Sequence, residues 1–229
     1  MMKTAIAVFC KTPGVSPVKT RLANDIGLEK AESFYLNCIF AVRETMLSVR
    51  ERSCGRITPY WAVAEKESLA NVLWKSLPTV WTGEGGLGER LNNVFALLFR
   101  QYDNVIVIGS DSPQLSPVVF FQAADRLNSP KNDCVIGPCT DGGFYLFGSN
   151  KSIAKSVWAR TEYSNKYTLT QLVNLLDHYG YQFSFLPELA DVDDLSGLEN
   201  LAWFFKDNPK SGLAARNELI LHIKSILAC

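Results

Sequence analysis

The sequence predicts an α/β protein built around a mainly parallel sheet. Short apolar runs, too short for helices, alternate with segments of helical periodicity. One run, Val105-Ile106-Val107-Ile108, carries no polar alternation, as expected of a strand covered on both faces. Glycine-rich and acidic segments fall just after several of these runs, where open α/β sheets bind their ligands.

The elements follow in chain order. Ala5–Phe9 is the first strand. With Lys3 before it and Cys10 after it, this run has the outline of a lipoprotein signal, but it is too short for a signal core and Lys11 follows at once. Phe34, Cys38, Val42, Met46 and Val49 trace the apolar stripe of a long helix, and Tyr60–Val63 forms the second strand. Leu91, Val94, Phe95, Leu98, Phe99 and Tyr102 keep the i, i+3, i+4, i+7 rule of another helix. After Val105–Ile108, Ser116-Pro117 reads as an N-cap with proline at N1, opening a helix toward Leu127. Cys134–Ile136, Phe144–Phe147 and Tyr181–Leu186 are the remaining strands. Thr168 is expected to cap a helix that turns Leu169, Leu172, Val173 and Leu176 inward, and a last helix runs from about Leu213 to Leu227.

The bulk numbers narrow the function classes. The 229 residues suit one large α/β domain, or a domain with a small appendage, and 47% hydrophobic residues support a sizeable core. Twenty-three basic and 23 acidic residues cancel, which argues against nucleic acid as a partner. No apolar stretch is long enough to span a bilayer. The six cysteines form no Cys-x-x-Cys pair and are read as thiols of a reducing, cytoplasmic compartment. His178 and His222 fall in helical segments and are read as structural or solvated.

Five segments carry chemistry. Lys11 to Leu22 follows the first strand. Pro13 and Gly14 make it tight, and Lys11, Lys19 and Arg21 supply three cations, so it reads equally as a phosphate-wrapping loop or a solvated one. It lacks the Gly-Lys-Ser/Thr of a P-loop. Glu84 to Arg90 opens the strongest helix; Gly86 and Gly88 let backbone approach a base or phosphate, or simply begin the helix. Asp111, in Gly109-Ser110-Asp111-Ser112-Pro113 after the most apolar strand, suits a hard cation such as Mg²⁺ or Mn²⁺, or caps a turn. Asp141-Gly142-Gly143 reads on its own as a hairpin turn. In Asp191-Val192-Asp193-Asp194, either Asp194 or Ser196 suits an N-cap. Three neighbouring carboxylates repel unless a cation offsets them, which marks Asp193 as a second metal ligand.

Taken together, these segments resemble the GT-A-like nucleotide-diphospho-sugar transferase superfamily, in particular a bacterial branch of glycosyltransferases of largely unassigned substrate. The resemblance rests on Pro13 to Leu22, Gly85 to Arg90, Gly109 to Pro113, Asp141 to Tyr145 and Asp191 to Asp193, in that order. More distant likenesses are the guanylyltransferases of molybdenum-cofactor and deazaflavin-cofactor synthesis. The sequence departs from the pattern at Ser16-Pro17, at Tyr163-Ser164-Asn165, at Asp194, and in lacking Asp-x-Asp after the central strand.

The resemblance implies a Rossmann-like three-layer sandwich with helices on both faces, formed by residues 1–229 as one domain. It implies a Mg²⁺- or Mn²⁺-dependent transferase with a nucleotide-activated donor, moving a glycosyl group from a nucleotide-diphospho sugar to a small-molecule acceptor. The alternatives are nucleotidyl transfer from an NTP to a phosphorylated small molecule, and nucleotide binding without catalysis. Lys19 and Arg21 would grip phosphates beside Lys11, Pro13 and Gly14. Gly86, Gly88 and Arg90 would lie near the base, and Asp111 and Asp193 would hold the metal. Asp111, Lys19 and Arg21 would carry catalysis, with Asp141, Gly142 and Gly143 on the acceptor or sugar side. The last helix is left to pack within its own chain or, as a homodimer contact, on a second copy.

Overall fold

The computed structural model describes residues 2–207 and 212–228. A seven-stranded sheet runs through it. The strands are β1 (Thr4–Cys10), β2 (Ile57–Val63), β3 (Thr79–Trp81), β4 (Asn104–Gly109), β5 (Cys134–Pro138), β6 (Phe144–Ser149) and β7 (Phe183–Phe185). Their order is β3-β2-β1-β4-β6-β5-β7. All are parallel to their neighbours except β6, which runs antiparallel to both β4 and β5.

The helices are α1 (Thr20–Ile26), α2 (Leu28–Arg52), α3 (Leu87–Leu98), α4 (Pro117–Leu127), α5 (Lys155–Arg160), α6 (Thr168–His178), α7 (Leu195–Asp207) and α8 (Ala214–Leu227). They make three layers because the strand faces alternate. Ile6, Val8, Ile106 and Ile108 face α2 and α4, while Ala5, Ala7, Val105 and Val107 face α3, α5 and α6. On the second face the small alanines of β1 leave room for bulk. There the Phe95, Phe147 and Trp158 rings pack with centroids 5.2–5.8 Å apart. A third cluster, from Leu22, Phe34, Leu198, Leu219 and Ile223 among others, joins α1, α2, α7 and α8. The last helix thus packs within its own chain through Leu219, Ile223 and Ile226.

Several expectations need correction. Strand β3 and helices α1 and α5 are too short to show a period. Ser116 does hold the N-cap position of α4, but its hydroxyl makes no capping bond. Thr168 is the first residue of α6 rather than its cap, and its Oγ1 lies 2.8 Å from both the Glu162 and Asn165 carbonyls. The Leu169 N–H is instead taken by the Gly142 carbonyl at 2.8 Å. Of the two candidates before α7, Asp194 is the cap, accepting from the Gly197 N–H at 2.9 Å. Cys229 and residues 208–211, between α7 and α8, lie outside the described residues. The five described cysteines are all free thiols, and no helix among the described residues is long and apolar enough to cross a membrane.

One edge of the sheet collects all five segments. Strands β1, β4 and β5 end there. Because β6 is antiparallel, the turn that precedes it lies there too. The chain leaving β7 pairs Leu189 with Cys139 and so carries Asp191 and Asp193 to the same edge.

Candidate functional site

The loop after β1 is held by its neighbours. Pro13 and Gly14 form a turn in which the Val15 and Ser16 N–H groups both donate to the Thr12 carbonyl at 3.0 Å, with Gly14 at φ 78°. Buried Glu65, just past β2, accepts from the Thr12 N–H at 3.0 Å and its hydroxyl at 2.8 Å. Tyr35 on α2 accepts from the Lys11 N–H at 3.0 Å and shares a hydrogen bond with Ser110 at 2.9 Å, tying the ends of β1 and β4 together.

At the far end of this loop Lys19 adopts a left-handed conformation, φ 45°, and forms the N-cap position of α1. Such a conformation costs a non-glycine residue about 1 kcal/mol. In return its side chain passes inward. The ammonium is 2.7 Å from Asp111 Oδ2, 2.6 Å from the Val192 carbonyl and 3.3 Å from Asp193 Oδ1. An ammonium has three hydrogens, and three acceptors surround this one. Only 3% of the side chain is exposed, against 33% for Asp111 and 44% for Asp193. In this geometry Lys19 is an internal counterion, with its three hydrogens matched by protein acceptors. Arg21, 66% exposed, has only a 3.3 Å contact to Asp193. Lys11 is exposed and touches the Pro17 carbonyl at 3.3 Å. Among the described cations that line the groove, these two are the more exposed and the less engaged.

Charge explains the rest. Burial pushes the Asp111 carboxyl up, but the Lys19 ammonium outweighs it and the net direction is down. Burial pushes Lys19 down, and Asp111, Asp191 and Asp193 together raise it well above an ordinary lysine. Asp191 is pushed up to about 6, by burial first and then by Asp111, with Asp193 adding to it. One ammonium cannot balance all these carboxylates. A Cβ at position 109 would come within 2.6 Å of Asp111 Oδ1 and would push that carboxylate from its place.

Two spaces open at this edge. A groove of about 670 Å³ is lined by Lys11, Arg21, Glu65, Thr82, Arg90 and neighbouring residues. A cleft of about 260 Å³ is lined by Ser112, Asp141, Gly143, Tyr163, Asp191 and others. They share Phe9, Leu87, Asp111 and Asp193. The structure thus brings Lys11, Lys19, Arg21, Arg90, Asp111, Asp141, Gly143 and Asp193 to one locus.

Other expected residues have local reasons. Pro13 and Gly14 shape a turn and line neither space. A side chain at Gly88 would collide with the Trp158 carbonyl, which explains this glycine by helix packing. Gly86 opens α3, with its N–H donating to Glu89 at 2.9 Å. Arg90 spends hydrogens on the carbonyls of Gly85 and Ala64 and on Thr82 Oγ1, at 2.9–3.1 Å. Asp141 accepts from the Gly143 N–H at 2.9 Å, so the Asp-Gly hairpin turn forms as read. Gly142, at φ 88°, has no room for a side chain against the Lys166 carbonyl.

Sequence reasoning missed Glu65, Tyr35 and Ser112. Glu65 had a usable signal, since it follows β2 as Asp111 follows β4.

The residues present suit a divalent ion only in part. Asp111 and Asp193 already converge on one cation, and their oxygens are hard donors. Among the described residues no three Asp, Glu, His or Cys side chains converge closely enough to cage a metal. Two carboxylates suffice for Mg²⁺ when substrate phosphates complete its shell. The donor set therefore fits a metal that arrives with a phosphorylated ligand.

Comparison with known proteins supports the fold. A family model described as "Uncharacterized protein conserved in bacteria (DUF2064)" matches residues 46–165. A candidate nucleotide-diphospho-sugar transferase from Desulfovibrio desulfuricans G20 superposes with TM-score 0.83 at 22% identity, covering 100% of this chain and 98% of that one. A CMP:2-keto-3-deoxy-manno-octonic acid synthetase complexed with CTP gives 0.56 at 15% identity, covering 90% and 99%. A 4-diphosphocytidyl-2C-methyl-D-erythritol synthase from Anaerococcus prevotii DSM 20548 gives 0.55 at 11%, covering 91% and 97%. No curated protein matches the chain by sequence. The architecture is the GT-A-like fold shared with nucleotidyltransferases.

Proposed function

For a chain that belongs to the DUF2064 family, we propose the function of a metal-dependent transferase with a nucleotide-activated donor, acting as one domain and moving a glycosyl group from a nucleotide-diphospho sugar to a small molecule. The observation that carries this reading is the junction of the two spaces. The cation-bearing groove and the acidic cleft share the Asp111 and Asp193 carboxylates. A reacting centre at that junction has a diphosphate on one side and the group to be joined on the other.

The chain's own residues support the steps. Arg21 and Lys11 are exposed cations in the groove, suited to the oxygens of a departing diphosphate, where negative charge grows in the transition state. Asp111 and Asp193 would hold Mg²⁺ or Mn²⁺, which when bound neutralises phosphate charge. Lys19 keeps both carboxylates in place before any ligand arrives. Tyr35 fixes the β1 and β4 ends relative to each other, so that positioning costs little at the moment of reaction. Leu87 and Arg90 bring the start of α3 to the groove wall, consistent with a base lying near Gly86.

A second reading is nucleotidyl transfer with release of pyrophosphate, favoured by the two synthases of the same fold. A thermal-shift panel of nucleoside triphosphates and nucleotide sugars, with and without Mg²⁺ or Mn²⁺, tests both. Saturation at a hundredfold the dissociation constant adds about 2.7 kcal/mol of stability. Metal-dependent stabilisation strongest for one nucleotide sugar, with nucleoside diphosphate as product, supports glycosyl transfer. Pyrophosphate as product moves the assignment to nucleotidyl transfer. No stabilisation by any nucleotide sinks both.

A further inference from the structure

The acidic cleft says more about the molecule it receives, on the reading just given that it is the acceptor side. Asp111, Asp141, Asp191 and Asp193 line it, and among the described residues it has no Lys, Arg or His in its wall. Lys19 stands behind Asp111, but its three hydrogens are already matched by acceptors. The field of the four carboxylates is felt at one point, the buried Cys139 thiol, which burial and then Asp191, Asp141, Asp111 and Asp193 all push upward. A metal between Asp111 and Asp193 would still leave Asp141 and Asp191 facing the cleft without a cation.

A second observation points to a ligand. Ser112 lines the cleft and is only 5% exposed. No hydrogen bond to its hydroxyl is found among the described residues, and the hydroxyl is not one of the fully buried atoms left without a partner, so it opens onto the cleft. The remaining wall is largely apolar, with Phe9, Leu87, Leu91, Phe144, Tyr145 and Tyr163 prominent.

We propose that the cleft takes an acceptor that bears hydroxyl or amine groups on a partly apolar body and carries no phosphate or carboxylate, with the Ser112 hydroxyl and the Asp141 carboxylate reading its polar groups. Hydroxyl and amine donors satisfy aspartates. A phosphate brought there would meet like charge with no paired cation, an arrangement that interfaces use to reject wrong partners.

The test uses the full chain, labelled for amide NMR, with matched probes: glycerol and glycerol 3-phosphate, glucose and glucose 6-phosphate, ethanolamine and phosphoethanolamine. Each is titrated alone and with a Mg²⁺-nucleotide. The amides of Gly143, Ser164 and Asn165 report the cleft, and those of Arg21 and Glu65 report the groove. At least one unphosphorylated probe is expected to shift the cleft amides, its phosphorylated partner binding roughly tenfold more weakly or worse. Asp141→Asn, which keeps an acceptor for the Gly143 N–H, should narrow that gap severalfold. Ser112→Ala should weaken the unphosphorylated probe without moving the groove signals. A phosphorylated probe that binds as well as its parent overturns the inference, as does silence of the cleft amides toward every unphosphorylated probe. Failure of the broader transferase reading looks different, because the groove amides would then ignore every Mg²⁺-nucleotide.

Discussion

Replacing Lys19 by alanine probes the centre of the site. The substitution leaves Asp111, Asp191 and Asp193 without their shared ammonium and the Val192 carbonyl without its 2.6 Å donor. Breaking a fully buried pair by deleting one partner costs ~3–5 kcal/mol. Here Asp111 and Asp193 keep 33% and 44% of their side-chain surface, so water screens part of the loss and about 2–3 kcal/mol is the expected figure. For a chain of this size each kcal/mol moves the melting temperature by about 2–4 °C, giving a fall of roughly 4–12 °C. Thermal melts in chelated low-salt buffer measure this. Lys19→Met, which retains the alkyl bulk, separates lost charge from lost packing. Adding Mg²⁺ or Mn²⁺ should raise the melting temperature of both variants more than that of the wild type, because a divalent ion then supplies the missing counter-charge. A Lys19→Ala protein that melts with the wild type would refute the counterion assignment and return Lys19 to the phosphate.

Three further outcomes follow from the same geometry. Asp111→Asn should abolish metal-dependent stabilisation by nucleotides, read by thermal shift, yet change ligand-free stability by only about 1 kcal/mol, since the lost pair with Lys19 is offset by relief of Asp191. Arg21→Ala should weaken nucleoside diphosphates about tenfold by calorimetry and leave the bare nucleoside unchanged, as expected of a single charge-assisted contact; equal weakening of both contradicts a phosphate role. Asp191 sits at about 6 when folded, above the ~3.9 of an unfolded aspartate. Its protonated form therefore stabilises the fold fully below about pH 4, and that contribution is lost as pH rises through about 6. In chelated buffer Asp191→Asn should thus be about 1–3 kcal/mol more stable than wild type at about pH 7.5, with the gap closing toward pH 4; a constant gap across that range rules the shift out.

The sequence carried much of this architecture because the long periodic elements are its strongest signals. Helices α2, α3 and α4 and the buried strands β1 and β4 stand close to where their apolar patterns put them. The short elements were illegible for the same reason. Strand β3 is three residues long, and α1 and α5 are seven and six residues. Such elements are stabilised by what they pack on, which a linear pattern does not contain. At the site, Asp111, Asp141 and Asp193 were visible as acids placed after strands. The role of Lys19 was not, since its inward path depends on a left-handed backbone and on a carbonyl 173 residues away. Thr168 and Gly88 show the reverse error. Both have suggestive identities, and both are accounted for by local packing or turn geometry.

The bond from the Leu169 N–H to the Gly142 carbonyl has a kinetic meaning. First-turn amides of a helix normally exchange with solvent freely, having no carbonyl behind them. This one is bound to the hairpin turn beside it, and the turn (Asp141, Gly143) and the start of α6 (Thr168) both line the cleft. Its hydrogen-exchange rate therefore reports the separation of α6 from the β5–β6 turn, and slow exchange at Leu169 would mean that the two breathe as one body. A molecule entering there would meet a cleft whose width is set by the backbone, so that its size is selected before its chemistry is.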